Sequence, residues 1–163
     1  MPEPLFQRLL QYASQHGLRV AEKLGSGIHG LVHIAFNEGS LDESAIKAHL
    51  EQETYRKERD AYIRLRAASV HQIQGLHVPQ LLSFDDELEV IEMGIVSKPY
   101  LLDFAGISLD HPTNFSEELW REWETQKREQ FGHYWAMVQK VRDDLEIYGI
   151  YLNDVSPSNI AWE

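Results

Sequence analysis

Apolar positions along this chain follow two rhythms. Over residues 3–16 they fall at Leu5, Phe6, Leu9, Leu10, Tyr12 and Ala13, one face of a helix that Gly17 stops. The period then drops to two. Leu18–Leu24 reads as a strand, and Leu31–Phe36 as another, with Val32, Ile34 and Phe36 on one side and His33 on the other. A polar turn, Leu41-Asp42-Glu43-Ser44, leads into a third strand over Ser44–Leu50, carrying Ala45-Ile46-Lys47. From Glu51 to Ala68 the composition is helical, with Tyr55, Tyr62 and Leu65 towards an apolar side. Residues 69–79 read as a loop ending at Val78-Pro79. Strands over Gln80–Phe84 and Leu88–Glu92 follow, joined by the acidic turn Asp85-Asp86.

The pattern breaks over residues 93–112, where Gly94, Pro99, Gly106 and Pro112 interrupt it. Beyond this boundary the helical period returns. Asn114 and Glu117 have capping-box spacing, and Trp120, Trp123 and Phe131 mark a helix ending near Gly132. Trp135, Val138, Val141, Leu145 and Tyr148 define a second helix, with Gly149 where a helix-terminating glycine belongs. The chain closes with a short apolar strand, Ile150-Tyr151-Leu152, a polar loop, and a second short strand at Ile160. The expected architecture is α+β. Residues 1–92 form a five-stranded antiparallel sheet with an inserted helix, 93–113 a hinge and linker, and 114–163 a short helical unit.

Composition narrows the function classes. The 163 residues, 43% hydrophobic, suffice for a real core. A formal net charge of −11 opposes binding to nucleic acid or to an anionic membrane. Without cysteine, neither disulfides nor thiolate metal sites are available, and eight histidines show no zinc-ligand spacing. No run is long and apolar enough for a membrane span, so a cytoplasmic protein is expected. Four tryptophans, at 120, 123, 135 and 162, crowd the second half and suggest an apolar face for a homodimer or a protein partner.

Chemistry concentrates at four places. Gly25, Gly27 and Gly30, followed by Val32, join two strands; a glycine hairpin lets backbone amides approach phosphates, although a flexible turn has the same composition. Lys47 stands in an apolar strand, where its ammonium needs a carboxylate or phosphate, or else snorkels at a sheet edge. Glu58 lies in the following helix and can turn towards Lys47; alone it reads as part of a solvated face. Finally, Asp154 and Asn159 sit five apart around Pro157, a spacing that orients a hydroxyl and ligates a metal but also makes ordinary turns.

In this order and at these intervals, the four elements resemble the protein-kinase-like fold over about residues 18–163. The resemblance implies that Gly25, Gly27, Gly30 and Val32 cover ATP phosphates. Lys47 would contact the α- and β-phosphates and pair with Glu58, and the backbone of Glu92 and Met93 would face adenine. Asp154 would be the base for an acceptor hydroxyl, on a small molecule or a protein, and Asn159 would ligate Mg²⁺. Leu152-Asn153-Asp154 replaces His-Arg-Asp and is closer to small-molecule phosphotransferases such as choline and aminoglycoside kinases. The Asp-Phe-Gly segment that holds the principal Mg²⁺ belongs about a dozen residues after Asn159, where the chain has only Ile160-Ala161-Trp162-Glu163. Two functions therefore compete: an ATP-dependent phosphotransferase, and a weak or inactive pseudokinase acting as a nucleotide-dependent binding or regulatory module.

Overall fold

The computed structural model of the protein describes residues 2–27, 29–153 and 155–163. Helix α1 (Pro2–His16) is followed by strands β1 (Leu18–Ser26), β2 (Gly30–Asn37) and β3 (Glu43–His49) and by helix α2 (Gln52–Ala67). Strands β4 (Gln72–Ile73) and β5 (Leu76–His77) make a small hairpin, and β6 (Leu81–Asp85) and β7 (Val90–Met93) complete the first half. Five of these strands form an antiparallel sheet in the order β1-β2-β3-β7-β6. The architecture is α+β.

Sequence period explains how the sheet is covered. Every residue of β3 from Ser44 to His49 is buried, so both faces of the central strand are packed. Ile46 and Ala48 point to one face, where Leu5, Leu9, Tyr12 and Ala13 of α1 cover them. Ala45 points to the other, joining a core with Tyr55, Tyr62 and Leu65 of α2. Those three residues recur at helical spacing with Ala61, and Arg64 and Arg66 in the last turn complement the helix dipole.

The second half departs from a plain hinge followed by helices. Residues 93–113 supply strands β8 (Tyr100–Leu101) and β9 (Ile107–Leu109). After α3 (Glu117–Phe131), a 3₁₀ turn and α4 (Trp135–Glu146), the chain returns as β10 (Ile150–Leu152) and β11 (Ile160–Ala161). Strand β10 pairs antiparallel with β9, and β11 with β8, which also meets β5 in parallel. The stretch 69–79 likewise holds the β4–β5 hairpin rather than loop alone. These strands are two or three residues long and carry too little alternation to show in sequence. The N-cap of α3 is Ser116, whose hydroxyl accepts the Leu119 N–H at 3.2 Å, rather than the expected Asn114.

The Arg64–Asp110 ion pair helps to fasten the two halves. Arg64 of α2 donates to both carboxylate oxygens of Asp110, at 2.8 and 3.0 Å, and to the carbonyls of Tyr148 and Gly149. Gly149 has φ +72° and faces this group, so a side chain there would collide with Arg64 and Asp110.

Gly30 has a packing role that its place in the hairpin does not reveal. Its backbone lies against β3, and an added Cβ would strike the Ala48 carbonyl oxygen; Gly25 and Gly27 have open space instead. Gly30→Ala is expected to destabilise the fold by about 1–3 kcal/mol in urea denaturation. Gly27→Ala should remain within about 0.5 kcal/mol of the parent.

Candidate functional site

Strand alternation brings two polar side chains of β3 to the α2 face. Lys47 and His49 lie two residues apart on the same side of the strand, and both are buried. Opposite them, Glu58 occupies the apolar stripe of α2, three residues after Tyr55 and four before Tyr62, and is 1% exposed. The solvated-face reading of Glu58 therefore does not hold. Its Oε1 accepts from Lys47 Nζ at 2.8 Å and from His49 Nε2 at 2.7 Å. Its Oε2 accepts from the backbone N–H of Phe104 at 2.7 Å.

The third element arrives from the segment expected as a linker. Asp103 lies just beyond β8, in Leu102-Asp103-Phe104-Ala105-Gly106, and its Oδ1 is 3.3 Å from Lys47 Nζ. Its φ of +66° is a left-handed conformation that the short polar side chain of Asp tolerates. The same Oδ1 accepts the Ala105 N–H at 3.1 Å, which helps to hold this turn. Phe104 is fully buried and meets the Tyr62 ring edge-on at 5.2 Å. Its burial stabilises this placement by about 2–3 kcal/mol.

The polar loop expected to carry catalysis is tied to the same segment. Strand β11 pairs Ile160 with Leu101, and the Asn159 carbonyl accepts the Leu102 N–H at 2.8 Å. Asn159 and Asp103 thus lie at neighbouring ends of one two-stranded ladder, although 56 positions apart in the chain. The start of the loop is also held. Arg142 Nε donates to the Leu152 carbonyl at 2.9 Å, and Trp123 Nε1 to the Asn153 carbonyl at 3.2 Å. The Asn153 side-chain amide donates to Thr113 and Ser108. Asp154 itself lies outside the described residues.

The remaining expected site residues are more dispersed. Gly25 pairs with Val32 across the β1–β2 hairpin, and Val32 pairs with Lys47, which lines the hairpin up beside the buried cluster. Glu92 and Met93 belong to β7, opposite Ile46 and Ala45, with the Glu92 carboxylate accepting from Tyr12 Oη at 2.8 Å. Met93 is buried beside Tyr62, whose hydroxyl donates to its sulfur at 3.5 Å. Two residues of the cluster were not singled out in the sequence. His49 was discoverable from its place two after Lys47. Asp103 was hidden because it lies in the irregular 93–113 stretch, 56 positions from Lys47 in the chain.

The electrostatics follow from this geometry. Burial alone raises the Glu58 pKa, but the Lys47 charge and the His49 hydrogen bond outweigh it and hold the carboxyl at about 2. For Lys47 burial acts downward, and the Glu58 and Asp103 charges overcome it to leave a raised value. Both groups stay ionised at neutral pH. Asp103 is less enclosed, with a side chain 27% exposed, and no described residue donates to its Oδ2. Among the described residues, no group of three or more His, Asp and Glu side chains is placed to hold a metal ion.

No protein-family model matches the chain, and no curated protein matches it significantly. Among the described residues, no helix is long and apolar enough to cross a membrane.

The depressed Glu58 pKa fixes the sign of an acid response. An ordinary carboxyl near 4.5 in the unfolded chain binds protons before the native one at about 2, so this stabilisation is complete above 4.5 and is lost as pH falls towards 2. The loss amounts to about 3 kcal/mol. Urea denaturation from neutral pH down to about pH 3 should show this slope. In Glu58→Gln it should shrink, with stability already lower at neutral pH because Lys47 and His49 lose their shared acceptor.

Proposed function

We propose that this chain is a nucleotide-binding phosphotransferase with a protein-kinase-like arrangement, whose metal-holding aspartate is Asp103. The observation that carries the reading is the buried Lys47–Glu58–Asp103 cluster, at 2.8 and 3.3 Å. A lysine fixed by a helix carboxylate and facing a second, partly open carboxylate is the arrangement that phosphoryl transfer uses to grip a nucleotide and its metal. Asp103-Phe104-Ala105 matches the metal-binding Asp-Phe-Gly segment with alanine in the place of its glycine. It lies beside Asn159 through the β8–β11 pair, so a loop after Asn159 is not needed to bring it there.

The donor set suits Mg²⁺. Asp103 offers an oxygen to which no described residue donates, and Asn159 offers a carboxamide with no hydrogen bond to a described residue; hard cations take such oxygen ligands. Asp103 and Asn159 would hold the ion, which when bound neutralises negative charge on the phosphates. Lys47 would take phosphate oxygens while Glu58 and His49 keep it oriented. The open faces of Gly25 and Gly27 would admit the phosphates beneath the hairpin. The acceptor oxygen attacks the γ-phosphorus, the bond to the bridging oxygen breaks, and the acceptor proton passes to Asp154. Nucleoside diphosphate and a phosphorylated acceptor leave.

The pseudokinase alternative rests on a missing metal segment, and the metal role proposed for Asp103 is what favours the phosphotransferase over it. The two readings separate in one sample. ATP with Mg²⁺ should raise the melting temperature, and Lys47→Ala should abolish the rise; no rise in the parent protein sinks both. Radiolabelled ATP should then give labelled product or phosphate, lost in Asp154→Asn and reduced by about 100-fold or more in Asp103→Asn. Binding without turnover, unchanged by Asp103→Asn, would leave the binding module as the function.

A further inference from the structure

A cavity of about 350 Å³ opens between α3, α4 and β10, lined by residues other than the Lys47 cluster. Trp120, Trp123 and Trp135 wall it, joined by Arg142, Glu146 and Asn153. The walls are mutually braced: Trp120 meets Trp123 edge-on at 5.5 Å, and Trp123 meets Trp135 at 5.9 Å. The cavity also adjoins the loop assigned to catalysis. Asn153, which precedes Asp154 in the sequence, lines it. We propose that this cavity is the acceptor site and that it takes a small, uncharged polyhydroxy compound such as a sugar or a cyclic polyol. This rests on the phosphotransferase reading given above.

The chemistry of the walls selects that class. Arg142 lies over the Trp123 ring at 4.5 Å and the Trp120 ring at 5.9 Å. Its Nε is used by the Leu152 carbonyl, but its two terminal nitrogens have no hydrogen-bond partner among the described residues. Burial pushes the guanidinium pKa down, and the charges of Glu146, Asp143 and Glu124 only partly offset it. Oxygen acceptors on a ligand would supply partners for those nitrogens. Glu146 and Gln139, on the same rim, accept from hydroxyls in turn. Hydroxyl groups both donate and accept, so a polyol satisfies each side at once, while its C–H faces lie against indole.

Charged acceptors fit less well. An anion would meet Glu146 and Glu124 in a chain of net charge −11. A quaternary ammonium needs a vacant aromatic face, and the guanidinium already covers Trp123. A hydrocarbon would leave Arg142 buried without partners.

The test follows ADP release from ATP and Mg²⁺ with three sets of acceptors. These are neutral hexoses, pentoses and inositols; the cations choline and ethanolamine; and the anions glycerate and gluconate. Tryptophan fluorescence is recorded in parallel, because three of the four tryptophans line the cavity. At least one neutral compound should raise ADP release by about tenfold or more and quench fluorescence saturably over the same concentrations. Arg142→Gln and Trp123→Phe should lose both responses. Because Arg142 and Trp123 also hold backbone carbonyls, Glu146→Gln and Gln139→Ala on the exposed side of α4 repeat the test. Each should weaken the acceptor response while keeping the melting rise with ATP and Mg²⁺. Stimulation only by the cations or anions, or by no compound at all, overturns the proposal even if that melting rise is intact. So does a neutral stimulator that acts equally on all four variants. A parent protein without the melting rise overturns the nucleotide reading first, and this one with it.

Discussion

Most of this structure depends on one buried carboxylate. Glu58 accepts from Lys47 and His49 of β3 and from the backbone N–H of Phe104, so a single side chain joins the central strand, the inserted helix and the segment after β8. An unpaired carboxylate in that position would be prohibitively expensive. Three donors, two of them side chains from the same strand face, offset its desolvation and leave it ionised. The cost of burial thereby becomes a constraint on geometry: α2 packs on β3 in the register that lets all three donors reach it. Phe104, whose N–H reaches Glu58, packs edge-on against Tyr62 of the same helix.

Chain order and spatial order diverge around this centre. Strands β8 and β9, which flank Asp103, are made before α3 and α4, whereas their partners β11 and β10 come after them. The two helices therefore form an excursion between halves of the same short ladders. Such ladders contain few hydrogen bonds, and the surrounding core holds them: Leu101, Phe104, Ile107, Ile150 and Ile160 all belong to one cluster with α2 and α4. Arg64 adds a polar clasp through Asp110 and the carbonyls that close α4. Asp103 and Asn159 become neighbours because of this closure, and the proposed metal site is a consequence of topology rather than of a continuous motif.

The aromatic half of the chain has a second organisation. The tryptophans of α3 and α4 contact one another in series, and Trp123 and Arg142 reach from them to the backbone of Leu152 and Asn153. The cavity and the loop after β10 are thus built from the same side chains. The Trp135 indole N–H, buried with no partner among the described residues, belongs to this wall as well.

Periodicity alone determined the longer elements. Strands β1, β2, β3, β6 and β7 and all four helices were legible because each repeats an apolar position often enough to display its period. Lys47 stood out as an ammonium in an apolar strand, and its pairing with Glu58 was implied by the resemblance to the protein-kinase-like fold. Other features were illegible for particular reasons. Strands β4, β5, β8 and β9 are too short to alternate. Glu58 looked solvated because charged neighbours surround it in sequence, although its own position lies on the buried stripe. His49 resembled any strand histidine until the α2 carboxylate was opposite it. Asp103 was the hardest case, since its role depends on β8 meeting β11 across 59 residues of chain. Local sequence carries period, capping and turn chemistry; only the tertiary structure decides which distant segments share a core, and that decision put a carboxylate beside Lys47.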